Sequence, residues 1–139
     1  MKVPHVDIRL VSTWPSEEIV ALYKAGGWWK ESYDPSGISS LIQESTAFAV
    51  AVHEGRAIGM GRLISDGVSD AYIQDLVVLP AFRGHGIGKK IVQTLLNYCL
   101  EKGILWIVLI AEPGRRDFFA SLGFEEMKGH VPMRYRVEE

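Results

Sequence analysis

The chain has 139 residues, of which 47% are hydrophobic, enough to build the core of a single domain over residues 1–139. The formal net charge is −2 and the pI is about 6.1, so the charge balance does not favour nucleic acid or an anionic membrane as the main partner. The single cysteine, Cys99, excludes a disulfide within the chain and fits a reducing compartment.

No segment predicts secretion or insertion into a membrane. The first ten residues carry one Lys and no long apolar run, unlike a signal peptide. The longest apolar run, ILWIVLIA at 104–111, is too short to cross a bilayer. We therefore expect a cytoplasmic protein.

The first half of the chain alternates between strand and helix patterns. Apolar and charged residues alternate over 6–11, and the helical spacing after Trp14-Pro15 ends at Gly26-Gly27. A second, short helix follows Asp34-Pro35, where the Asp side chain supplies a cap. Turn signals such as Glu54-Gly55 then separate consecutive strands, which we expect to pair antiparallel: 46–53, 57–65 and 70–79.

The second half begins with a glycine-rich turn and an amphipathic helix that ends at Gly103. The run 104–111 is apolar on both faces, as in a strand covered on each side. Strand, turn, helix and buried strand predict a βαβ crossover with parallel strands. A helix after Glu112-Pro113-Gly114 and strands at Phe124 and 133–137 complete the chain. The sequence thus predicts an α/β fold with a mixed, mostly antiparallel sheet of six to seven strands and about four helices.

Three glycines occupy alternate positions in the turn, Gly84, Gly86 and Gly88. They let the backbone adopt positive φ and let a ligand approach closely. Successive N–H groups at such a helix start converge on an anion. Basic or potentially basic side chains surround the turn: Arg83, His85, Lys89 and Lys90. The alternative is that the glycines only form a tight turn, but the basic neighbours favour a phosphate site.

The spacing of the turn fits neither of two known nucleotide motifs. A Rossmann turn needs G-x-G-x-x-G in the first βα unit, whereas this chain has G-x-G-x-G past its middle. A Walker loop needs Ser or Thr after G-K, but Gly88-Lys89 is followed by Lys90. A nucleotide-binding module would rest on the glycine turn alone, and no metal site is predicted.

A third pattern fits the turn and its surroundings. Residues 83–88 (RGHGIG) match Q/R-x-x-G-x-G/A, and the preceding strand ends in Val78-Leu79-Pro80. Downstream, residues 118–124 (FFASLGF) resemble F-Y-x-x-x-G-F. With the order of elements over essentially the whole chain, these motifs resemble the GNAT superfamily, the Gcn5-related N-acetyltransferases.

The resemblance implies acetyl-CoA as the co-substrate. Its pyrophosphate would be held by the backbone of the turn: Arg83, Gly84, His85, Gly86, Ile87, Gly88 and Lys89. Its pantetheine arm would lie along the end of the fourth strand, at Leu76, Val77 and Val78. A bulge in that strand would free the backbone amide of Leu76 to polarise the thioester carbonyl for direct attack by an amine.

The groups that move protons depart from the family pattern. The strand positions usual for a base hold Gln74, which cannot usefully take a proton, and Tyr72, which could relay one or be an ordinary strand aromatic. Strand alternation turns Asp75 away from Gln74 unless the bulge re-aims it. Phe119 stands where the family often has a Tyr as general acid. Glu112 is a candidate base or amine anchor, or alternatively a cap for the next helix.

The resemblance also implies that the first two helices and their loop select the acceptor. In this chain that segment is GGWWKESY, in which Trp28 and Trp29, with Tyr33 nearby, would wall an apolar or cation-binding pocket or else pack into the core and over an edge. Gln74 completes the predicted acceptor site. The small size of the segment favours a small amine over a protein.

We therefore expect an N-acetyltransferase that uses acetyl-CoA and acts on a small primary amine. Phe119 and Gln74 motivate a second hypothesis, an acyl-CoA-binding sensor or interaction module with reduced catalysis. Asp66 and His130 are further catalytic candidates with weaker placement. Family analogy leaves a homodimer open.

Overall fold

The computed structural model describes residues 4–138, which divide into two compact units. The first unit ends at Leu109 and contains a five-stranded sheet, and the second begins at Ile110. None of the helices within residues 4–138 is long and apolar enough to cross a membrane.

The strands of the first unit lie side by side in chain order. They are β1 (Asp7–Leu10), β2 (Ala47–His53), β3 (Arg56–Ser65), β4 (Asp70–Val78) and β5 (Trp106–Val108). The first four pair antiparallel, as the hairpin signals predicted, whereas β5 runs parallel to β4. The helices are α1 (Ser16–Ala25), α2 (Ile38–Glu44), α3 (Ile87–Glu101) and, in the second unit, α4 (Arg116–Ala120).

Helices α1 and α2 pack on one face of the sheet. Their fully buried side chains, such as Leu22 and Ile42, join Phe48, Val50 and Met60 in one core cluster. Burial of such side chains is the main stabilising contribution, at about 1.5–3 kcal/mol for each large residue. The side-chain cap predicted at Asp34 is present, since the Asp34 carboxylate accepts the Ser36 N–H at 2.9 Å, but it caps the 3₁₀ turn Pro35–Gly37 that leads into α2 rather than α2 itself.

Helix α3 packs on the opposite face of β3, where two glycines give it room. A Cβ at Gly61 would lie 2.8 Å from the Ile91 Cγ2, and one at Gly59 would lie 3.2 Å from the Ile91 Cδ1. Side chains at these positions would push α3 off the sheet. The glycines of β3 therefore fix the depth of α3, and with it the position of the turn that begins the helix.

Two predictions about strands are wrong. The sheet has five strands rather than six to seven, since the second unit contains α4 and no strand within residues 110–138. The alternation in 133–137 specifies a strand only where a partner strand supplies backbone hydrogen bonds, and Met133 and Tyr135 are 90% and 87% exposed. The predicted strand over 104–111 is reduced to β5, in which Trp106 is 54% exposed rather than covered.

Candidate active site

A β-bulge divides β4 at Asp75 and Leu76. The register pairs Met60 with Val77 and Arg62 with Gln74, so that two residues of β4 stand opposite Gly61 alone. Asp75 has φ 59°, in the left-handed region. Glycine usually takes such a bulge position, and Asp is one of the few other residues that tolerate it. The structure therefore has a bulge at the place where the resemblance implied one.

The bulge turns Asp75 onto the same face of the sheet as Gln74. The Arg62 Nε donates to the Asp75 Oδ2 at 2.7 Å, and the Arg62 Nη2 donates to the Gln74 Oε1 at 3.0 Å. Plain alternation would have placed these two neighbours on opposite faces. Asp75 is thus a site residue that the sequence pattern alone assigns to the wrong side of the strand.

Tyr23 of α1 completes this polar cluster, which we define as Tyr23, Arg62, Gln74 and Asp75. The Tyr23 hydroxyl donates to the Asp75 Oδ2 at 2.8 Å, the same oxygen that Arg62 contacts. Burial raises the pKa of Tyr23 well above its usual value, and the nearby Asp75 charge raises it further. The phenol therefore keeps its proton and serves as a hydrogen-bond donor.

Tyr72 lies two residues before Gln74 and is half-buried. Burial, followed by the negative charge of Asp75, raises the pKa of Tyr72, while a hydrogen bond with Gln74 acts in the opposite direction. A phenol with a raised pKa holds its proton at neutral pH. The Tyr72 phenol therefore has a proton to donate, whereas the sequence offered a proton relay or an ordinary strand aromatic.

Strands β4 and β5 pair over a short length. The parallel register covers residues 70–72 of β4 and 106–108 of β5. From Ile73 to Val78, beyond the residues paired with β5, β4 remains paired with β3 on its other edge. Leu76, Val77 and Val78 lie in this later part, which is the geometry that lets an extended ligand add alongside a strand.

A cavity of about 370 Å³ opens beside Tyr72 in the first unit. Its apolar lining includes Ile64 and Trp106, which are 44% and 54% exposed, and Val108. Ile64 pairs with Tyr72 two positions beyond the pair of Arg62 and Gln74, so strand alternation places the cavity on the face that carries the polar cluster. The sequence gives no sign that Trp106 lines a cavity, because it lies in a run that is apolar throughout.

The glycine turn follows a 3₁₀ turn at Pro80–Phe82. Gly84 and Gly86 have φ 83° and 75°, at which a residue with a side chain would be strained. Gly86 is also the N-terminal cap residue of α3. No side chain caps this 15-residue helix, so its first N–H groups point into the turn. Lys89 is exposed in the first turn of α3, and the Arg83 Nε donates to the Val78 carbonyl at 2.9 Å.

Within the turn, the predicted residues divide by burial. Ile87 is 4% exposed and anchors the start of α3 in the core. His85 and Gly88 are half-buried. The geometry and the charge of the turn are those of an anion site at a helix N-terminus.

Trp28 and Trp29 are half-buried and pack against the core below α1. Their rings lie 6.3 Å and 6.4 Å from the Tyr23 ring, and Trp29 makes an edge contact with Tyr33 at 5.5 Å. The Trp28 ring also covers Gly26, where a Cβ would lie 2.5 Å from its Cε3. The predicted acceptor segment is therefore connected to the polar cluster through Tyr23.

In the second unit, Glu112 begins a turn in which its backbone carbonyl accepts the Arg115 N–H at 3.0 Å. The alternative role of Glu112 as a helix cap is wrong, because α4 has Arg115 at its cap position and no side-chain cap. Phe119 is 9% exposed and makes edge contacts with Phe118 and Phe124. Both ring contacts lie within the second unit.

Asp66 and His130, the two weaker catalytic candidates, lie in turns and contact neighbouring backbone groups. The Asp66 carboxylate accepts the N–H groups of Val68 and Ser69 at 2.8 Å each and holds the β3–β4 turn. The His130 ring is exposed, with Nδ1 3.1 Å from the Lys128 carbonyl. Within residues 4–138, no three His, Cys, Asp or Glu side chains converge as metal ligands would.

The comparisons with known proteins agree with this arrangement. The model of the acetyltransferase (GNAT) family matches residues 11–124. "GCN5-related N-acetyltransferase 2, chloroplastic" of Arabidopsis thaliana is 33% identical over 119 residues, which cover 81% of this chain and 45% of the relative. A second relative from that plant, "GCN5-related N-acetyltransferase 3, chloroplastic", is 30% identical over 137 residues, which cover 96% of this chain and 56% of the relative. The chain thus spans about half the length of the curated relatives it matches.

Solved structures show the same fold. A GNAT family acetyltransferase from Streptococcus pneumoniae TIGR4 superposes with a TM-score of 0.81 at 25% identity, covering 97% of this chain and 100% of that one. Since the family model spans most of the chain and the folds agree, this chain belongs to the acetyltransferase (GNAT) family.

Proposed function

We propose that this chain is an acetyl-CoA-dependent N-acetyltransferase that moves an acetyl group to the primary amine of a small molecule. One observation carries the proposal: the bulge at Leu76 lies on the part of β4 that has passed beyond the β5 register, and that part leads directly into the glycine turn. A donor for a thioester carbonyl, an edge for an extended arm and a cradle for phosphates follow one another along 76–89.

The turn would hold the pyrophosphate of CoA. Positive φ at Gly84 and Gly86 and the uncapped N-terminus of α3 direct N–H groups toward one anion, and Lys89 adds positive charge. The pantetheine arm would pair with Leu76, Val77 and Val78, as the resemblance implies. Family membership supports acetyl-CoA as the ligand of this turn.

The reaction requires a C–N bond to form and a C–S bond to break. The amine nitrogen loses one proton and the thiolate sulfur gains one. The Leu76 N–H would stabilise the charge that grows on the carbonyl oxygen, a contribution worth about 3 kcal/mol for one such donor. Tyr72, whose raised pKa keeps its proton in place, is our candidate to protonate the sulfur.

The acceptor would approach over the face that carries the polar cluster. The cavity beside Tyr72 and Trp106 has an apolar wall and a volume that suits a small molecule. Trp28 and Trp29 lie next to the polar cluster, because their rings contact the Tyr23 ring. Aromatic rings near a carboxylate suit an amine, because both attract a cation. These features support a small amine rather than a protein as the acceptor.

The proposal is tested by release of CoA thiol from acetyl-CoA across polyamines, amino acids, arylalkylamines and aminoglycosides. We expect turnover above the amine-free background with at least one class. Calorimetry with acetyl-CoA and CoA gives the binding arm. The proposal fails if neither ligand binds the purified protein.

One observation favours a second candidate function, an acyl-CoA-binding sensor. Phe119, at the position of the family's usual proton donor, is packed between Phe118 and Phe124 and has no proton to give. A sensor would bind CoA in calorimetry and release no thiol with any amine of the panel. Turnover with a single amine removes this alternative.

A further inference from the structure

We propose that Asp75 is a positioning residue: held by Tyr23 and Arg62, it keeps the β4 bulge in the conformation that aims the Leu76 N–H at the thioester carbonyl. This inference rests on the proposed function. Asp75 immediately precedes Leu76, so the backbone angles of Asp75 set the direction of the peptide N–H that follows. Control of those angles is control of the proposed oxyanion donor.

The backbone at Asp75 needs an outside constraint. Its φ of 59° places a side-chain-bearing residue in the left-handed region, inside a strand whose other residues are extended. Such strain persists only where the surroundings fix it, and it concentrates at functional sites. Glycine would have met the backbone requirement alone, so the carboxylate has a role that glycine lacks.

Two hydrogen bonds supply the constraint. Both converge on the Asp75 Oδ2, from the Tyr23 hydroxyl at 2.8 Å and from the Arg62 Nε at 2.7 Å. The Asp75 and Arg62 side chains are 21% and 18% exposed, and Tyr23 is 7% exposed. These bonds are therefore largely shielded from water and attach the bulge both to α1 and to the neighbouring strand β3.

The same contacts argue against Asp75 as the general base. Its Oδ2 already accepts hydrogen bonds from a guanidinium and a phenol, so that oxygen is occupied by two donors of the protein itself. The contacts instead fix where the carboxylate stands. Asp75 thus acts through the Leu76 amide rather than on the amine.

Nuclear magnetic resonance of the ¹⁵N-labelled chain tests the inference without relying on turnover. In the wild type, we expect acetyl-CoA to shift the Leu76 amide more than CoA does, since only acetyl-CoA carries the carbonyl. The Gly84 and Gly86 amides should respond to both ligands. In Asp75→Gly, which fits the backbone and lacks the carboxylate, the Leu76 difference should disappear while the two glycines still respond.

Asp75→Asn is the matched conservative variant. Asn also tolerates the left-handed region, and its side-chain oxygen can accept from Tyr23. We expect it to restore at least about half of the Leu76 difference. If Asp75→Gly does not fold, Tyr23→Phe removes one of the two bonds and should reduce the same difference.

Thiol release supplies a second readout. We expect kcat of Asp75→Gly to fall about 100-fold, comparable to the loss of one oxyanion donor, with the KM for acetyl-CoA within about threefold of wild type. Asp75→Asn should keep most of the activity that Asp75→Gly loses. A general base would instead leave Asn as inactive as Gly and remove the acidic limb of the pH–rate profile.

The outcomes separate the two proposals. Silent Gly84 and Gly86 amides in the wild type would defeat the proposed function, and this inference with it. Responding glycines with no Leu76 difference in the wild type would overturn this inference alone. So would a wild-type Leu76 difference in Asp75→Gly, or an Asn variant that behaves as the Gly variant does.

Discussion

The Tyr23 hydroxyl donates a 2.8 Å hydrogen bond to the Asp75 carboxylate across 52 residues of sequence. This bond joins the buried side of α1 to the bulge of β4. The ring of Tyr23 also contacts Trp28 and Trp29. One buried residue therefore connects the segment predicted to select the acceptor with the strand predicted to polarise the thioester.

Tyr23→Phe removes this bond and keeps the ring contacts. We expect the free energy of unfolding to fall by about 1 kcal/mol, the usual net value of one hydrogen bond, and kcat to fall with it. The affinity for CoA should stay within about twofold, since the hydrogen bond and ring contacts of Tyr23 are made with Asp75, Trp28 and Trp29 rather than with the glycine turn. Urea unfolding, thiol release and calorimetry measure the three quantities.

Tyr33→Phe is the control for the loss of a phenol in this region. Tyr33 is 46% exposed and contacts Trp29 through its ring. Its variant should leave stability and kcat near wild type. Equal effects of the two substitutions would contradict a specific role for the bond to Asp75.

Gly86→Ala tests the proposed phosphate site. A Cβ would meet no atom within 4 Å, but φ 75° disfavours a side chain by about 1–2 kcal/mol. The backbone should relax away from this conformation and turn N–H groups out of the cradle. We expect the affinity for CoA to fall at least about tenfold, which is 1.4 kcal/mol, as measured by calorimetry.

Gly67→Ala separates backbone strain from ligand binding. Gly67 has φ 78° and equally open space around its Cβ direction, but it lies in the turn between β3 and β4. The two variants should lose similar stability in urea. Only Gly86→Ala should lose CoA affinity, and an equal loss in both would sink the assignment of the turn.

The sequence predicted the local features of this fold well because its signals are local. Hairpin turns, the cap at Asp34 and the amphipathic helix α3 each depend on residues within one turn or one pair of strands. The bulge is different. It places two residues opposite Gly61, over which α3 packs closely, and it brings Asp75 to Tyr23 and Arg62, and no periodicity encodes contacts at such separations.

The chain beyond β5 shows the opposite failure. Residues 133–137 alternate apolar and basic side chains as a strand does, yet the segment is exposed and irregular. Alternation states what a strand would bury and does not supply a partner strand. The count of six to seven strands was therefore too high, and the resemblance rather than the pattern led to the correct fold family.

Asp66→Asn probes the turn between β3 and β4 through pH. The Ser69 hydroxyl, at 2.7 Å, and the N–H groups of Val68 and Ser69 lower the pKa of Asp66 below its ordinary 3.8. A lowered pKa in the folded state stabilises the fold above the unfolded value and loses that contribution as pH falls through the folded value. The melting temperature of the wild type should thus exceed that of Asp66→Asn by most above about pH 4, and the gap should close on acidification.

Asp70→Asn is the control for that experiment. Asp70 enters the same turn through its backbone N–H, 3.2 Å from the Asp66 Oδ1. Its substitution keeps the backbone N–H and every hydrogen bond of the Asp66 carboxylate, so the contribution of that carboxylate should remain. A gap between wild type and Asp66→Asn that is constant with pH would show that the carboxylate charge contributes nothing.

Tyr72→Phe tests the proposed proton donor. Burial and the charge of Asp75 raise the pKa of Tyr72, so its proton should remain available beyond the usual value of 10.0 for tyrosine. We expect kcat of the wild type to show no alkaline loss from this group up to about pH 9. Tyr72→Phe should lower kcat by about 10²-fold, the low end for general acid catalysis, and leave the KM for acetyl-CoA unchanged. An unaltered kcat would show that water protonates the thiolate and that Tyr72 is an ordinary strand aromatic in the wall of the cavity.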